Sequence, residues 1–215
     1  MPKKEYRTER LILKASKLVS PQQTLDYYKR NQKLFVPLDP KRVTGFYTIA
    51  YQFLMLHQDE VERQAGCTVK FWVFTKENPE RIVGMVSFSN IKYGNVSSSF
   101  LAYKLDSACL NKGYITEAIA RGVRVMFEEL HLNRIEVAVL PRNLPSLRVM
   151  EKLGFVKEGF SPRFMEINGV WEGHVRFGLV NDPEADWHKL APHIRAAAYT
   201  VPKVKLAKLF FREKD

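Results

Sequence analysis

Cysteine is scarce in this chain of 215 residues, which contains only Cys67 and Cys109. Two cysteines are too few for a disulfide framework or a zinc site, and they favour a protein with reduced thiols. No stretch approaches the roughly 18 to 20 apolar residues of a membrane span. Residues 1–7 are charged and lack the apolar run of a signal peptide. The sequence therefore predicts a cytoplasmic protein that does not span a membrane.

Acidic residues are also in deficit, with 23 Asp and Glu against 34 Lys and Arg, which gives a net charge of +11. This balance favours acidic partners such as a phosphorylated cofactor, RNA or an RNA-rich particle. The basic residues are scattered, however, and an ordinary solvated surface explains them equally well. Internal repeats and low-complexity linkers are absent, and 46% hydrophobic content suffices for one large domain with a substantial core.

The first part of the chain predicts one strand followed by two helices. Residues 10–14 are short and apolar, as in a strand. Ser20 and Pro21 form a helix start, with serine as the cap and proline at the first helical position. We predict this helix to run to about Lys33 and a second helix to span residues 46–64.

The remainder predicts strands interrupted by two helices. A meander of three strands is followed by a helix, a strand, a second helix capped by Asn143, and two final strands. The Asn168-Gly169 dipeptide between the last two strands is the strongest short signal for a β-hairpin. The predicted strands cover residues 68–75, 81–88, 96–105, 134–140, 155–167 and 170–180.

The most informative stretch, residues 110–118, reads Leu-Asn-Lys-Gly-Tyr-Ile-Thr-Glu-Ala and joins a predicted strand to a helix. Apolar residues then recur at helical spacing, which predicts an amphipathic helix of about four to five turns. The start of such a helix attracts phosphate, because unpaired N–H groups and the positive end of the helix dipole lie together. Gly113 lets a ligand approach the backbone, and Lys112 adds a positive charge. Any α/β protein contains strand–loop–helix units, so this motif alone also fits an ordinary connection.

Four pieces of sequence, in order, resemble the GNAT superfamily of N-acetyltransferases and, within it, the RimJ and RimL type of ribosomal-protein alanine N-acetyltransferase. Each piece alone is weak, whereas the ordered set is specific, and the resemblance covers about residues 8 to 180. The pieces are residues 112–118, residues 131–135, Asn143 and Ser146 followed by residues 151–159, and residues 167–171 followed by His174.

The resemblance implies an α+β fold with a mixed, mostly antiparallel sheet of about seven strands and about four flanking helices. It also implies that two middle strands splay apart and leave a slot for the pantetheine arm of acetyl-CoA. We expect residues 1–182 to form this acetyltransferase domain. We expect residues 183–215 to form a C-terminal extension, with a short basic amphipathic helix at residues 203–212 that docks on the domain, a partner or a membrane surface.

The resemblance also implies site residues. Ser146 stands where relatives place the acid that protonates the CoA sulfur, and a backbone N–H near Tyr103 would stabilise the oxyanion. Asn143 would bond the pantetheine arm, although both Asn143 and Ser146 could serve only as helix caps. Lys152 could meet the nucleotide phosphates or be a surface charge. The predicted cofactor-binding set is Leu105, Leu110, Asn111, Lys112, Gly113, Tyr114, Ile115, Thr116, Asn143 and Lys152.

Departures from the family pattern concern the turn and the base. Leu110, Asn111 and Ile115 replace a glutamine, a glycine and a small residue, so Asn111 must adopt a turn conformation and Ile115 could narrow the slot. Met165 occupies the position of a carboxylate found in some relatives, so no side-chain base can be assigned. A terminal α-amine has a pKa near 8 and is partly neutral without one.

Three functions remain open at this stage. The first is acetylation of a protein or peptide N-terminus, most naturally ribosomal, by a cytoplasmic enzyme that uses acetyl-CoA and contacts the ribosome through its basic surface. The second is acetylation of a small amine. The third is a non-catalytic acyl-CoA-binding module. A homodimer is compatible with each, and the acceptor loops are too variable to identify the acceptor.

Overall fold

The computed structural model describes residues 1–182 together with residues 184, 185 and 187. These residues form one mixed sheet of eight strands with five α-helices, which confirms the predicted α+β fold and adds one short strand and one short helix. The strands are β1 (Glu5–Arg7), β2 (Leu11–Ala15), β3 (Val69–Thr75), β4 (Ile82–Lys92), β5 (Ser98–Leu105), β6 (Arg134–Val139), β7 (Val156–Ile167) and β8 (Val170–Val180). The helices are α1 (Pro21–Arg30), α2 (Gln32–Phe35), α3 (Ile49–Gln64), α4 (Tyr114–Arg124) and α5 (Leu144–Lys152).

The sheet order is β1-β2-β3-β4-β5-β6-β8-β7. All neighbouring strands pair antiparallel except β5 and β6, which are parallel. The pair is parallel because the chain returns from β5 to β6 through α4, and it lies in the middle of the sheet. That crossover places the start of α4 at the end of β5.

Both faces of the sheet are covered, as the unbroken apolar run in β3 requires. Phe71 and Val73 belong to the core under α4 and α5, while Trp72 and Phe74 point into the core under α1 and α3. Trp72 is only 2% exposed. The sheet is therefore the middle of three layers.

Two local signals predicted from the sequence are confirmed. Ser20 Oγ accepts from the backbone N of Gln23 at 3.2 Å, and Gln23 Oε1 accepts from the backbone N of Ser20 at 3.0 Å, which makes a capping box beside Pro21. Asn168 and Gly169 both have positive φ, 49° and 86°, as the tight hairpin between β7 and β8 needs.

The first helix ends earlier than predicted, at Arg30 rather than near Lys33. Asn31 interrupts it, since its Nδ2 donates to the carbonyl of Tyr27 at 2.9 Å and its Oδ1 accepts from the backbone N of Ser107 at 2.8 Å. An asparagine side chain that bonds to the main chain competes with helix continuation. This hydrogen bond to Ser107 holds the C-terminal end of α1 beside the end of β5.

The start of α3 and the presence of β1 also differ from the sequence prediction. Helix α3 begins at Ile49 rather than near Phe46, because Thr48 Oγ1 accepts from the backbone N of Tyr51 at 3.2 Å and caps the helix. Strand β1 was not predicted, since three residues with a charged residue at each end carry no periodic signal.

Most of the predicted C-terminal extension, including residues 203–212, lies outside the described residues, so its helix and the domain boundary after residue 182 stay predictions. Trp187 is described: its ring packs against Phe127 with centroids 4.8 Å apart, and its Nε1 donates to Asn181 Oδ1 at 3.0 Å. Among the residues described, none of the helices has the length and apolar character needed to cross a bilayer.

Candidate active site

The central feature of the site is a divergence of β5 and β6. Their parallel ladder contains three pairs, from Ser98 with Arg134 to Phe100 with Glu136. Beyond these pairs, β5 continues to Leu105 paired with β4, and β6 continues to Val139 paired with β8. The two strands thus leave a slot between residues 101–105 and residues 137–139, which is the splay that the sequence resemblance implied.

Main-chain groups line this slot. The N–H of Asp106 donates to Val83 O at 2.7 Å, and the N–H of Arg134 donates to Ser97 O at 3.2 Å. Because hydrogen-bonding direction alternates along a strand, even-numbered residues of β5 turn to β4 and odd-numbered residues turn to β6. The N–H of Tyr103 therefore faces the slot, and it is the group that the family resemblance implies as an oxyanion donor.

The turn before α4 is shaped by two left-handed residues. Asn111 has φ 61° and Gly113 has φ 77°, so the asparagine does adopt the turn conformation demanded of it. Gly113 is the N-cap residue, and among the described residues no side chain caps the helix. The first N–H groups of α4 are thus left to an external acceptor, which is the arrangement that binds phosphate in many proteins.

The side chains of the turn point in different directions. Leu110 is 44% exposed, whereas Ile115 and Thr116 are both 7% exposed and packed inward. Ile115 belongs to the core between α4 and the sheet, so its bulk fills the core. Lys112 is exposed, and the half-buried ring of Tyr114 lies 4.9 Å from the guanidinium carbon of Arg10.

Tyr103 and Ser146 meet beside the slot. Their hydroxyl oxygens are 2.5 Å apart, and the Tyr103 hydroxyl also donates to the Ser146 carbonyl at 3.2 Å. Burial raises the pKa of Tyr103 well above its ordinary value, with the Ser146 hydrogen bond opposing the rise, so this phenol is neutral at physiological pH. Two neutral hydroxyls in contact can pass a proton between them.

Asn143 stands at the start of α5, where its Oδ1 accepts from the backbone N of Ser146 at 3.3 Å. The capping role is therefore present, and it leaves the Nδ2 group as the part of Asn143 that could bond a ligand. Leu105 is half-buried against the core, and Lys152 is exposed in the last turn of α5. A helix rises about 1.5 Å per residue, so Lys152 lies about 12 Å from the start of α5 along its axis.

A loop covers the other side of the sheet near the slot. We call residues 36–42 the strap. Within it, Asp39 is buried and forms ion pairs with Arg42 of the strap and Lys104 of β5. Burial lowers the pKa of Lys104 and the neighbouring Asp39 opposes that effect. Lys104 follows Tyr103 directly, so the two side chains lie on opposite faces of β5.

The strap is also bound to the last hairpin and to the loop before α5. Asn168 Nδ2 donates to Val36 O at 2.7 Å, and Arg142 Nη2 donates to Pro37 O at 2.8 Å. Arg142 also pairs with Glu172 of β8. The strap thus joins α2, β5, the loop before α5 and the β7–β8 hairpin around one mouth of the slot.

Aromatic and charged side chains continue this surface. Arg176 lies 4.5 Å from the ring centroid of Phe164 and 5.4 Å from that of Phe100, and it bonds Glu136 at 2.8 Å. His174 is buried with its ring 5.4 Å from that of Phe164, and burial lowers its pKa. His174 belongs to a sequence motif, whereas the strap contacts could not be predicted, because no local pattern links residues so far apart.

Arg10 is a further site residue that was not predicted from the sequence. Glu117 accepts from Thr8 Oγ1 at 2.5 Å, from the backbone N of Arg10 at 2.9 Å and from Arg10 Nε at 2.7 Å. Burial favours a higher pKa, but these hydrogen bonds hold the pKa of Glu117 below its ordinary value. The carboxylate is therefore charged and bound to Arg10 behind the turn of α4.

Comparisons with known proteins agree with this geometry. Residues 17–156 match the family model described as an acetyltransferase (GNAT) domain. The probable N-acetyltransferase YjcK of Bacillus subtilis is 33% identical over 171 residues, covering 80% of this chain and 94% of that protein. The [ribosomal protein uS5]-alanine N-acetyltransferase of Escherichia coli is 29% identical over 188 residues, covering 87% and 94%.

A solved structure extends the likeness to three dimensions. The crystal structure of ribosomal-protein-S5-alanine acetyltransferase from Vibrio fischeri matches with a TM-score of 0.76 and 31% identity, covering 85% of this chain and 98% of that one. Together with these matches, the split sheet and the open helix start belong to a transferase that takes its acyl group from acyl-CoA. The chain belongs to the GNAT family and is an N-acetyltransferase that uses acetyl-CoA.

The site residues fit acetyl-CoA. The open helix start offers amides to a diphosphate, and the slot offers strand edges to the two amides of the pantetheine arm. Acetyl-CoA supplies an activated thioester carbonyl. The residues of this chain would hold that carbonyl at the slot and provide neutral hydroxyls beside it.

Proposed function

We propose that this enzyme acetylates the N-terminal α-amine of a protein, most specifically a ribosomal protein whose mature chain begins with alanine or serine. The uS5-alanine acetyltransferases named above support the proposal, since they match nearly the whole of their own length. The observation that carries the transfer step is the Tyr103–Ser146 contact beside the diverging strands, because it supplies a proton source at the place where a thioester would end.

In the proposed reaction, the amides of residues 111–116 hold the diphosphate, with Lys112 and Lys152 adding positive charge. Leu105 and Leu110 flank the path of the pantetheine arm, and Asn143 bonds it through Nδ2. The acetyl carbonyl then lies at the N–H of Tyr103, which stabilises the oxyanion that forms during attack.

The chemistry follows from these positions. The neutral amine attacks the thioester carbon, so a C–N bond forms and the C–S bond breaks. The electron pair of the broken bond leaves on sulfur, and Ser146 donates a proton to it as general acid. Tyr103 gives its own proton to Ser146 and recovers one from solvent, so CoA leaves as the thiol. Solvent accepts the proton released by the amine, whose pKa near 8 keeps a fraction neutral at pH 7.

The acceptor would enter from the strap side, opposite α4. That mouth carries Glu136 and Glu172 among several arginines, so a peptide backbone with a free amine meets both donors and acceptors there. The net charge of +11 is compatible with docking on an RNA-rich particle, and a ribosomal acceptor places the reaction in the cytoplasm.

The test compares acceptors under one assay. Purified enzyme is given acetyl-CoA with peptides beginning with Ala or Ser, with the same peptides N-formylated, and with spermidine as a small amine. We expect acetylation of the free peptides alone, detected as a mass increase of one acetyl group at the N-terminus. Turnover on spermidine with none on any peptide would reject a protein acceptor.

A cellular measurement identifies the acceptor. Intact masses of ribosomal proteins are compared between cells with the gene, cells without it, and cells carrying the Ser146→Ala variant. We expect one protein to lose a single acetyl group in the second and third cells. Identical masses in all three would rule out a ribosomal acceptor and leave the acetyltransferase assignment intact.

A further inference from the structure

Arg10 reaches from the turn before β2 to the turn before α4, across 102 residues of sequence. Its Nη1 donates to the carbonyl oxygen of Lys112 at 2.9 Å. Its Nε and Nη2 each lie 2.7 Å from Glu117 Oε2. One guanidinium therefore binds a backbone carbonyl of the turn and a carboxylate of the first helical turns at the same time.

The carbonyl contact determines which way an amide points. In a planar trans peptide the C=O and the following N–H lie on opposite sides. Because the Lys112 carbonyl points at Arg10, the N–H of Gly113 points away from Arg10. That N–H belongs to the turn whose amides are proposed to hold the diphosphate.

Because one of its residues is Gly113, the Lys112–Gly113 peptide can change its orientation at low energetic cost. A glycine with φ 77° can change its backbone angles at little cost, so the peptide between Lys112 and Gly113 could rotate and present its carbonyl oxygen to the ligand. An oxygen in that position would repel a diphosphate. Arg10 Nη2 lies 3.3 Å from where a Cβ of Gly113 would stand, so the guanidinium is packed directly against this peptide.

Glu117 in turn fixes Arg10. It accepts from the backbone N of Arg10 at 2.9 Å and from Thr8 Oγ1 at 2.5 Å, and its side chain is only 17% exposed. The backbone carbonyl of Arg10 accepts from the N–H of Lys76 at 2.9 Å, which anchors the residue to the sheet. Contacts to its backbone and to its guanidinium therefore hold Arg10 in place without a ligand.

We propose that Arg10 is a positioning residue of the acetyl-CoA site, which orients the Lys112–Gly113 peptide so that the Gly113 N–H faces the diphosphate. The inference rests on the proposed placement of the diphosphate at this turn. It assigns a function to the turn before β2, which lies outside every motif that indicated the family.

The test separates the diphosphate from the rest of the donor. Acetyl-CoA is compared with S-acetylpantetheine, a thioester that lacks the diphosphate and the nucleotide. In Arg10→Ala we expect the Kd for CoA and the KM for acetyl-CoA to rise about tenfold or more, with kcat at saturation within about twofold of wild type. We expect kcat/KM for S-acetylpantetheine to stay within about twofold, because that donor never contacts the turn.

Two variants control the result. Arg7→Ala removes an exposed arginine of β1 that pairs with Glu5, and it should leave both donors unaffected. Arg10→Lys keeps the positive charge but cannot bond a carbonyl and a carboxylate in one plane, so it should still weaken CoA binding about fivefold. It also serves as the test protein if Arg10→Ala is not recovered folded.

Several outcomes would overturn the proposal. They are an unchanged Kd for CoA in Arg10→Ala, an equal loss with both donors, and full recovery of CoA affinity in Arg10→Lys. The Gly113→Val variant shows whether the role of Arg10 or the placement of the diphosphate is wrong. If it weakens CoA binding while Arg10→Ala does not, only the role of Arg10 is wrong, whereas if neither variant weakens binding, the diphosphate lies elsewhere.

Discussion

The α4 side of the slot and the strap side are built from different kinds of group. On the α4 side the turn presents main-chain amides, with Leu110 and Lys112 exposed and Ile115 and Thr116 packed inward. On the strap side, charged side chains meet across long sequence separations, as Lys104 does with Asp39 and Arg142 with Glu172. Recognition by amides depends on backbone shape, so Leu110, Asn111 and Ile115 can depart from the family pattern there. Recognition by side chains depends on which residues are present, so the acceptor can differ among relatives of one fold.

The largest effect we expect is on the chemical step itself. Ser146→Ala should lower kcat about 100-fold and leave the KM for acetyl-CoA within about threefold, because it removes a proton donor without disturbing the helix cap on the Ser146 backbone. Steady-state kinetics with a saturating peptide measures both constants.

Tyr103→Phe provides the partner measurement. If the two hydroxyls pass one proton, the double variant should be no slower than the slower single variant. A kcat within about twofold of wild type in both single variants would instead show that solvent protonates the thiolate.

The next effect concerns the α4 side alone. Gly113→Val forces a β-branched residue into a left-handed conformation that L-residues disfavour, so the turn should open and the KM for acetyl-CoA should rise about 30-fold with the KM for peptide unchanged. Gly94→Val is the matched control, since Gly94 has a similar φ of 81° and nothing within 4 Å of its missing side chain. Equal kinetic losses in the two variants would mean that general destabilisation, and not the turn, explains the result.

A smaller effect is expected from the strap side. Asp39→Asn removes the charge that holds Lys104 and Arg42 together, so the two cations repel each other and the strap should leave β5. We expect the KM for peptide to rise about tenfold and the Kd for CoA to stay unchanged. Asp26→Asn, an exposed change on α1, should alter neither constant. A change in CoA affinity as large as the change for peptide would show that the two sides are not independent.

The smallest effect is a pH-dependent change in stability. The pKa of Glu117 is lower in the folded protein than its unfolded value near 4.3, so its contribution is complete above that pH and is lost as pH falls through the folded pKa. Glu117→Gln should therefore lower Tm by about 3 °C at pH 7. The difference from wild type should shrink below about pH 4.

Thermal unfolding followed by circular dichroism across this pH range provides the measurement. Glu9→Gln, in the same turn and exposed, is the control. A difference between wild type and Glu117→Gln that is constant from pH 7 to pH 3 would show that the charge of Glu117 does not contribute.

Much of the fold could be predicted because its signals are local. The Ser20–Pro21 helix start, the Asn168-Gly169 hairpin and the amphipathic period of α4 each depend on residues a few positions apart, and each is confirmed. The end of α1 could not be predicted, because it depends on a side chain that bonds to distant backbone. Asn31 ends α1 through a contact with Ser107, and no window around Asn31 contains that partner.

The site residues likewise divide into those predicted from local sequence and those identified only from the tertiary structure. Within each family motif the residues are close in sequence. The motifs therefore locate the turn at residues 110–116 and identify Asn143 and Ser146 as candidates. The Tyr103–Ser146 contact spans 43 residues and the Arg10–Glu117 contact spans 107, so only the sheet order brings them together. Strand β1 and the strap carried no periodic signal and became visible only through their partners.

By itself, the amino-acid sequence determined the order of elements, the left-handed turn before α4 and membership of an acetyltransferase family, because turn chemistry and apolar spacing act over a few residues. The tertiary structure decided where β5 and β6 separate, that the hydroxyls of Tyr103 and Ser146 are in contact, and that Arg10 binds the turn before α4. The physical reason is that these features depend on strand register across the sheet, and register is set by the packing of the whole core and not by any one segment.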